Sequence, residues 1–223
     1  MYSKFYFLNI PKTTGVSFDI NIMQNLYKIM NRHGIDTSAN LRFNDHNSWD
    51  NFDDQTYVFS IFRDPVDRTL AEFTNLRIFD AFGKRKSDSG VHVDDTLDLT
   101  LEDLDMWLTK FYTADFQTKT LFNGLNPPIH AIPEKIKRIN LFIDDDQILS
   151  QHGLQMLCNR ILSDLGIEET IHASYVPHVR FQQGYALDFA FDKVRGSALE
   201  HKIKAMNYLD CLIHENKSNF HRL

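Results

Sequence analysis

The chain has 223 residues, of which 43% are apolar and 13% aromatic, enough for one globular domain with a sizeable core. Lys and Arg number 24 against 30 Asp and Glu, and the formal net charge of −6 argues against a general nucleic-acid-binding or heparin-type surface. Two cysteines provide no disulfide framework, the first predicted strand leaves no room for a signal peptide, and no apolar run has the length of a membrane span. We therefore expect a cytoplasmic protein with no nucleic-acid or membrane partner, in which any anion site is local.

An apolar run near the start predicts the first strand. Phe5 to Ile10 is nearly all apolar and rich in strand formers, which is typical of a parallel strand buried on both faces. A proline, a lysine, a glycine and three hydroxyl side chains follow within seven residues: Pro11, Lys12, Thr13, Thr14, Gly15, Val16 and Ser17. A helical pattern begins at Val16 and ends near Gly34, so the loop lies at a helix start, where unpaired N–H groups face outward. The stretch predicts an anion-binding loop.

A second buried strand is predicted over Tyr57 to Phe62, and it is followed by a second basic turn. Arg63 and Arg68 flank Pro65, which suits the first turn of a helix because its missing N–H costs nothing there. A guanidinium in this place can bind a phosphate as a fork. An alternative is that Arg63 and Arg68 form salt bridges with Asp64 and Asp67 around the helix start.

The order of these two segments carries a family resemblance. Pro-Lys-Thr-x-Gly-x-Ser at 11–17 resembles the 5′-phosphosulfate loop of sulfotransferases that use PAPS (3′-phosphoadenosine 5′-phosphosulfate), closest to the carbohydrate-acting, heparan-type branch. Arg-Asp-Pro-x-Asp-Arg at 63–68 resembles the 3′-phosphate-binding segment of the same family. The chain departs from the family pattern at Thr14, Val16 and Ala71, and the last of these removes a hydroxyl contact to the 3′-phosphate.

The resemblance implies a fold and a set of cofactor contacts. The fold is an α/β P-loop-like three-layer sandwich, with a mostly parallel central sheet flanked by helices, formed by a single domain over residues 1–223. The residues that match the family's PAPS-binding positions are Pro11, Lys12, Thr13, Thr14, Gly15, Val16, Ser17, Arg63, Arg68 and Ala71. No metal is implied, because cationic side chains and helix N–H groups already face the anion.

The middle of the chain contains an insertion, a helix and a third, weaker resemblance. Residues 83–99 are polar and charged and predict an exposed insertion, after which Thr100 has the character of an N-cap. Gln-Thr-Lys at 117–119, with Gly124 behind it, is similar to a Gln-Thr-Arg segment of carbohydrate sulfotransferases, and it makes Gln117 and Lys119 candidate substrate-binding residues. The alternative is a helix end capped by Gly124.

The remaining part of the sequence predicts one strand and two helices. Ile139 to Ile143 predicts a third strand, and the aspartates at 144–146 predict a helix N-terminus rather than a metal site, since consecutive residues cannot all face one ion. A helix is predicted from Leu154 to Leu165, stopping at Gly166. Asp192 to Glu215 predicts one terminal helix.

The implied reaction transfers a sulfuryl group from PAPS to an acceptor hydroxyl and leaves 3′,5′-ADP. The acceptor expected from the branch is a saccharide rather than a small phenol. Lys12 would neutralise charge beside the bridging oxygen of the donor, and His46, in the loop before the second strand, is the expected general base. Glu72 and Asp19 are reserve candidates for the base.

Two other function classes stay open at this point. One is a nucleotide or small-molecule kinase on a P-loop-like fold, which would need Mg²⁺ and a Walker A pattern; here Lys12 precedes Gly15, the reverse of that order. The other is a degenerate, non-catalytic nucleotide-binding protein, which the substitutions at Thr14, Val16 and Ala71 favour.

Overall fold

The computed structural model describes seven stretches of the chain: residues 2–10, 23–38, 53–81, 100–122, 124–145, 151–171 and 192–220. Within these stretches lie three strands, β1 (Lys4–Leu8), β2 (Thr56–Phe62) and β3 (Leu141–Asp144). The same stretches contain eight helices of six residues or more: α1 (Gln24–Arg32), α2 (Pro65–Ala81), α3 (Leu101–Lys110), α4 (Phe116–Leu121), α5 (Ala131–Ile136), α6 (Gln151–Asp164), α7 (Ala198–Met206) and α8 (Tyr208–Phe220). None of the helices in these stretches has the length and apolarity that a bilayer crossing requires.

The three strands form one parallel sheet in the order β1, β2, β3. All seven residues of the central strand β2 are buried, as expected for a strand with a neighbour on each side and cover on both faces. Phe7 of β1 stacks on Phe59 of β2 with ring centroids 5.1 Å apart. The prediction of three strands is confirmed, with β1 and β2 mostly buried and β3 half-buried apart from Phe142, and the chain is an α/β protein with a parallel sheet flanked by helices.

One hydrophobic core covers one face of the sheet. Leu26, Ile29 and Met30 recur at helical spacing on α1 and are buried with Phe5 and Phe59 of the strands. Helix α6 contributes a second apolar face to the same core: Leu154, Leu157, Cys158, Ile161 and Leu162. The core therefore consists of aromatic strand residues enclosed by aliphatic helix residues.

The chain divides into two compact units, each made of separate stretches of sequence. The first unit comprises Met1–Arg63, Phe116–Val176 and Leu212–Leu223, and it includes the whole sheet. The second unit comprises Asp64–Asp115 and Pro177–Cys211. The core of the second unit joins α2, α3 and α7 through Val66, Leu70, Phe73, Leu104, Trp107, Leu108 and Ile203. The expected single domain over 1–223 stays a prediction, and the insertion expected at 83–99 lies outside the described residues.

The C-terminal region differs from the single helix predicted over Asp192 to Glu215, and that prediction was wrong. Two helices, α7 and α8, meet at Asn207, whose backbone leaves the helical region at φ −108° and ψ 42°. The Asn207 amide donates to the Ile203 carbonyl at 2.8 Å, and the Asp115 carboxylate accepts from the backbone N–H groups of Leu209 and Asp210. Asp115 therefore caps a new helix start, for which residues 192–215 contain no local signal.

Candidate active site

The carboxyl edge of the sheet is where the two predicted anion-binding turns begin. Strands β1 and β2 are adjacent and parallel, with Leu8 opposite Ser60, and the Ser60 hydroxyl donates to the Leu8 carbonyl at 2.8 Å. Segment 11–17 follows β1 after two residues, and Arg63 follows β2 directly. Open α/β sheets bind ligands beyond the carboxyl ends of their strands. Pro11, Lys12, Thr13, Thr14, Gly15, Val16 and Ser17 lie outside the described residues, as do His46 and Asp19.

The backbone of Arg63 is held by the side chain of Gln117. The Arg63 N–H donates to Gln117 Oε1 at 3.0 Å, and Gln117 Nε2 donates to the Arg63 carbonyl at 2.9 Å. Gln117 has no exposed surface, and both residues belong to the first unit. An amide side chain that bonds both polar groups of one residue acts like a neighbouring strand, so Gln117 is a positioning residue for the end of β2.

The guanidinium of Arg63 forms an ion pair at the same edge. Arg63 Nε lies 3.1 Å from Asp145 Oδ2, and the side chains of Arg63 and Asp145 are only 20% and 12% exposed. Asp145 directly follows β3, just as Arg63 directly follows β2. A partly desolvated pair of this kind attracts more strongly than a surface pair, because solvent screens it less.

A second side-chain pair involves the last residue of β3. His214 Nε2, on α8, lies 3.2 Å from Asp144 Oδ1, and the His214 ring stacks on Phe62 with centroids 6.5 Å apart. Sequence reasoning missed His214, because its partner is distant in the chain and no local motif marks it. A histidine beside a carboxylate is an arrangement that can hold or move a proton.

The N-terminus of α2 is capped within the second unit. Asp64 Oδ1 accepts from the N–H groups of Val66 and Asp67 at 2.9 and 3.0 Å, with Pro65 as the first helical residue, as predicted. Arg195 pairs with Asp64, Asp67 and Glu200. Burial lowers the pKa of Arg195, but the charges of Asp64 and Asp67 outweigh it and hold that pKa above its ordinary value. Sequence reasoning missed Arg195 as well.

Arg68 and Ala71 are both buried on α2. Arg68 is 1% exposed and its Nη1 lies 2.7 Å from Glu72 Oε2, while Ala71 is 3% exposed. The sequence alternative was salt bridges of Arg63 and Arg68 with Asp64 and Asp67; the structure shows Arg63 paired with Asp145 and Arg68 paired with Glu72. The geometry gives Arg68 a structural role inside the second unit, and it engages the reserve base Glu72. The cofactor contacts expected of Arg68 and Ala71 stay predictions.

The third segment folds as the short helix α4. Gly124 has φ +85° and its N–H donates to the Lys119 carbonyl at 2.6 Å, which is the glycine-capped helix end weighed as the alternative. Lys119 is half-buried on this helix. Gln117 bonds the Arg63 backbone, as described above, and the substrate contacts expected of Gln117 and Lys119 stay predictions.

Comparison with known proteins gives no relative for this chain: no family model, no curated protein and no solved structure matches it. Among the described residues, no group of three or more His, Cys, Asp or Glu side chains has the geometry to hold a metal ion. The functional argument therefore depends on the chemistry of the residues themselves.

Proposed function

We propose that this protein is a sulfotransferase that moves a sulfuryl group from PAPS to a hydroxyl of a saccharide acceptor, on a P-loop-like α/β fold. The observation that carries the proposal is the parallel pairing of β1 with β2. Because these strands are neighbours and run the same way, segment 11–17 and Arg63 start from the same edge of the sheet. Two cationic segments that follow the ends of adjacent parallel strands suit a ligand with two separated phosphate groups.

The residues present fit the 3′-phosphonucleotide at one end. Gln117 anchors the backbone of Arg63, and the Arg63 side chain keeps 20% of its surface exposed, through which its guanidinium would contact a phosphate. At the other end, Lys12, Ser17 and the backbone N–H groups of 13–15 would hold the 5′-phosphosulfate. Positioning and electrostatic stabilisation would supply most of the rate enhancement, as in phosphoryl transfer.

The step itself breaks the bond between sulfur and the phosphate oxygen of PAPS and forms a bond between sulfur and the acceptor oxygen. Lys12 would neutralise the negative charge that develops on the leaving phosphate. His46 would take the proton of the acceptor hydroxyl. The products are the sulfate ester and 3′,5′-ADP.

Two observations favour a second candidate, a protein that binds the 3′-phosphonucleotide without turnover. Ala71 is buried and has no hydroxyl to offer a phosphate, and Arg63 already has an internal carboxylate partner in Asp145. Each feature weakens binding or orientation of the donor, since a hydrogen bond to a charged group contributes about 1.5–3 kcal/mol.

Titration calorimetry with 3′,5′-ADP, 5′-ADP and ATP, each with and without Mg²⁺, tests the proposal. We expect metal-independent binding of 3′,5′-ADP, at least about tenfold weaker binding of 5′-ADP, and at least about tenfold weaker binding of 3′,5′-ADP by the Lys12→Ala variant. The Lys28→Ala variant, which removes an exposed lysine of α1, is the matched control and is expected to bind like the wild type. Preference for ATP with Mg²⁺ would instead indicate a kinase.

A transfer assay on a panel of saccharides separates the enzyme from the binding protein. Lys12→Ala and His46→Ala are each expected to lower the rate by at least about 100-fold. His46→Ala should leave 3′,5′-ADP affinity unchanged, because the base contacts the acceptor. Nucleotide binding without transfer to any saccharide would support the binding protein, and an unchanged rate in His46→Ala would remove the base role from His46.

A further inference from the structure

We propose that Asp145 competes internally for the anion-binding fork of Arg63 and thereby sets the affinity and charge selectivity of the site. This inference rests on the proposed function of Arg63 as the 3′-phosphate ligand. The observation behind it is the ion pair itself: Arg63 Nε and Asp145 Oδ2 lie 3.1 Å apart, between side chains that are 20% and 12% exposed.

The sheet places the two residues side by side. The register of β2 and β3 ends with Phe62 opposite Asp144, and Arg63 and Asp145 are the next residues of the chain after these two strand ends. Parallel strands lie about 4.8 Å apart, which puts residues that leave them together within reach of each other. Strand pairing therefore brings the two residues to neighbouring strand ends.

The backbone of Arg63 cannot easily move away from this partner. Gln117 bonds both its N–H and its carbonyl, at 3.0 and 2.9 Å, and Gln117 itself is fully buried. A ligand can therefore recruit the guanidinium only by changing the side-chain rotamer of Arg63 or by tolerating the nearby carboxylate. Either response subtracts from the binding free energy of the ligand.

The competition favours ligands of higher charge. A carboxylate partner carries one negative charge, whereas a phosphate monoester carries about −1.5 to −2 near pH 7 and offers three acceptor oxygens. A doubly charged phosphate can replace Asp145 as the partner of the guanidinium, while a singly charged anion gains little by doing so. Asp145 therefore acts as a specificity-determining residue for a terminal phosphate group.

The test is calorimetry of the Asp145→Asn variant with 3′,5′-ADP and 5′-ADP. Asparagine keeps the shape of the side chain and removes its charge, so we expect 3′,5′-ADP to bind at least about tenfold tighter than to the wild type. Binding of 5′-ADP, which lacks the 3′-phosphate, should change less than about threefold. A merely structural role for Asp145 predicts weaker binding or none, so a gain in affinity distinguishes the two.

Asp144→Asn is the matched control. It makes the same charge change one residue earlier, at a carboxylate that pairs with His214 instead of Arg63. We expect less than about a threefold change in 3′,5′-ADP affinity, since a general loss of negative charge near the edge acts only through screened, longer-range attraction. A gain in Asp144→Asn equal to that in Asp145→Asn would overturn the specific role of Asp145.

The outcomes separate this inference from the proposed function. If the wild type binds 3′,5′-ADP and Asp145→Asn binds it no tighter, the inference is wrong and the proposed function stands. If neither protein binds 3′,5′-ADP, both are wrong. Circular dichroism establishes whether the Asp145→Asn variant is folded. If asparagine prevents folding, the Asp145→Ser variant is used instead, because serine also removes the charge and has a smaller polar side chain.

Discussion

Gln117 holds the residue on which the proposed site depends. Its amide bonds both the N–H and the carbonyl of Arg63, directly after the end of β2. Buried backbone groups without a partner are costly, so the exit of the chain from the sheet needs such a substitute. The side chain that supplies it comes from α4, within the same unit.

Gln117→Leu is therefore expected to lower the free energy of unfolding by about 2–5 kcal/mol. Leucine has a similar volume but removes both side-chain bonds to the Arg63 backbone, and the loss of a bond by a buried polar group costs about 1–3 kcal/mol. Urea unfolding followed by circular dichroism measures the change. Thr120→Val is the control on the same helix: it removes a buried hydroxyl that bonds only the Phe116 carbonyl one turn earlier, and a loss below about 1 kcal/mol is expected. Equal losses of stability in the two variants would mean that Gln117 stabilises the protein only as a residue of helix α4 and not through its bonds to Arg63.

At the level of elements, two helices that cover the sheet end in the same way. At the end of α1, Gly34 donates to the Asn31 carbonyl and Ile35 to the Met30 carbonyl; at the end of α6, Gly166 donates to Ser163 and Ile167 to Leu162. These paired bonds define a Schellman ending, in which a glycine adopts a left-handed backbone and the next apolar residue turns inward. Ile35 and Ile167 are both buried in the core of the sheet.

Gly166→Ala tests the requirement for a left-handed residue. The glycine has φ +75° and a Cβ at this position would meet no atom within 4 Å, so the cost arises from the backbone alone. We expect the free energy of unfolding to fall by about 1–2 kcal/mol. Ser163→Ala, an exposed substitution in the last turn of the same helix, is the control and should change stability by less than about 0.5 kcal/mol. Gly34→Ala is expected to repeat the effect of Gly166→Ala, and a neutral result in both would contradict the strain argument.

Over the whole molecule, the sequence predicts what depends on local chemistry. The three strands, Pro65 at the start of α2, the Thr100 cap of α3 and the glycine ends of α1 and α6 all follow from propensity, capping and periodicity. The contact partners of the charged residues in the candidate site do not follow from these local signals. Asp145 for Arg63 and His214 for Asp144 come from elements that are remote in sequence, and only strand order and helix packing bring them together.

The same limit explains the break between α7 and α8. The prediction treats residues 192–215 as one helix, but Gly196 is left-handed and Ser197 caps the start of α7, while the cap that starts α8 is Asp115, from a different part of the chain. Asp115 itself adopts φ +51°, a left-handed conformation that local sequence favours only weakly for aspartate. Tertiary contacts therefore decide this boundary against the local preference.

The charge network of the second unit predicts how the protein responds to acid. Lys204 and then the Gly196 N–H hold the pKa of Glu200 at about 2, below its ordinary value of 4.5, with a further contribution from Arg195. A carboxylate whose pKa is lowered by folding contributes stability that is complete above pH 4.5 and is lost as the pH falls toward 2.

Glu200→Gln removes this contribution at every pH. We expect the variant to be about 1 kcal/mol less stable at pH 7, a value reduced by the partial exposure of the partners, and to approach the wild type as the pH falls below about 4. Thermal melts of both proteins between pH 7 and pH 2 measure the difference, with Glu168→Gln, an exposed glutamate, as the control that should follow the wild type throughout. A wild-type advantage that stays constant down to pH 2 would show that the amide differs from the carboxylate in packing and not in charge.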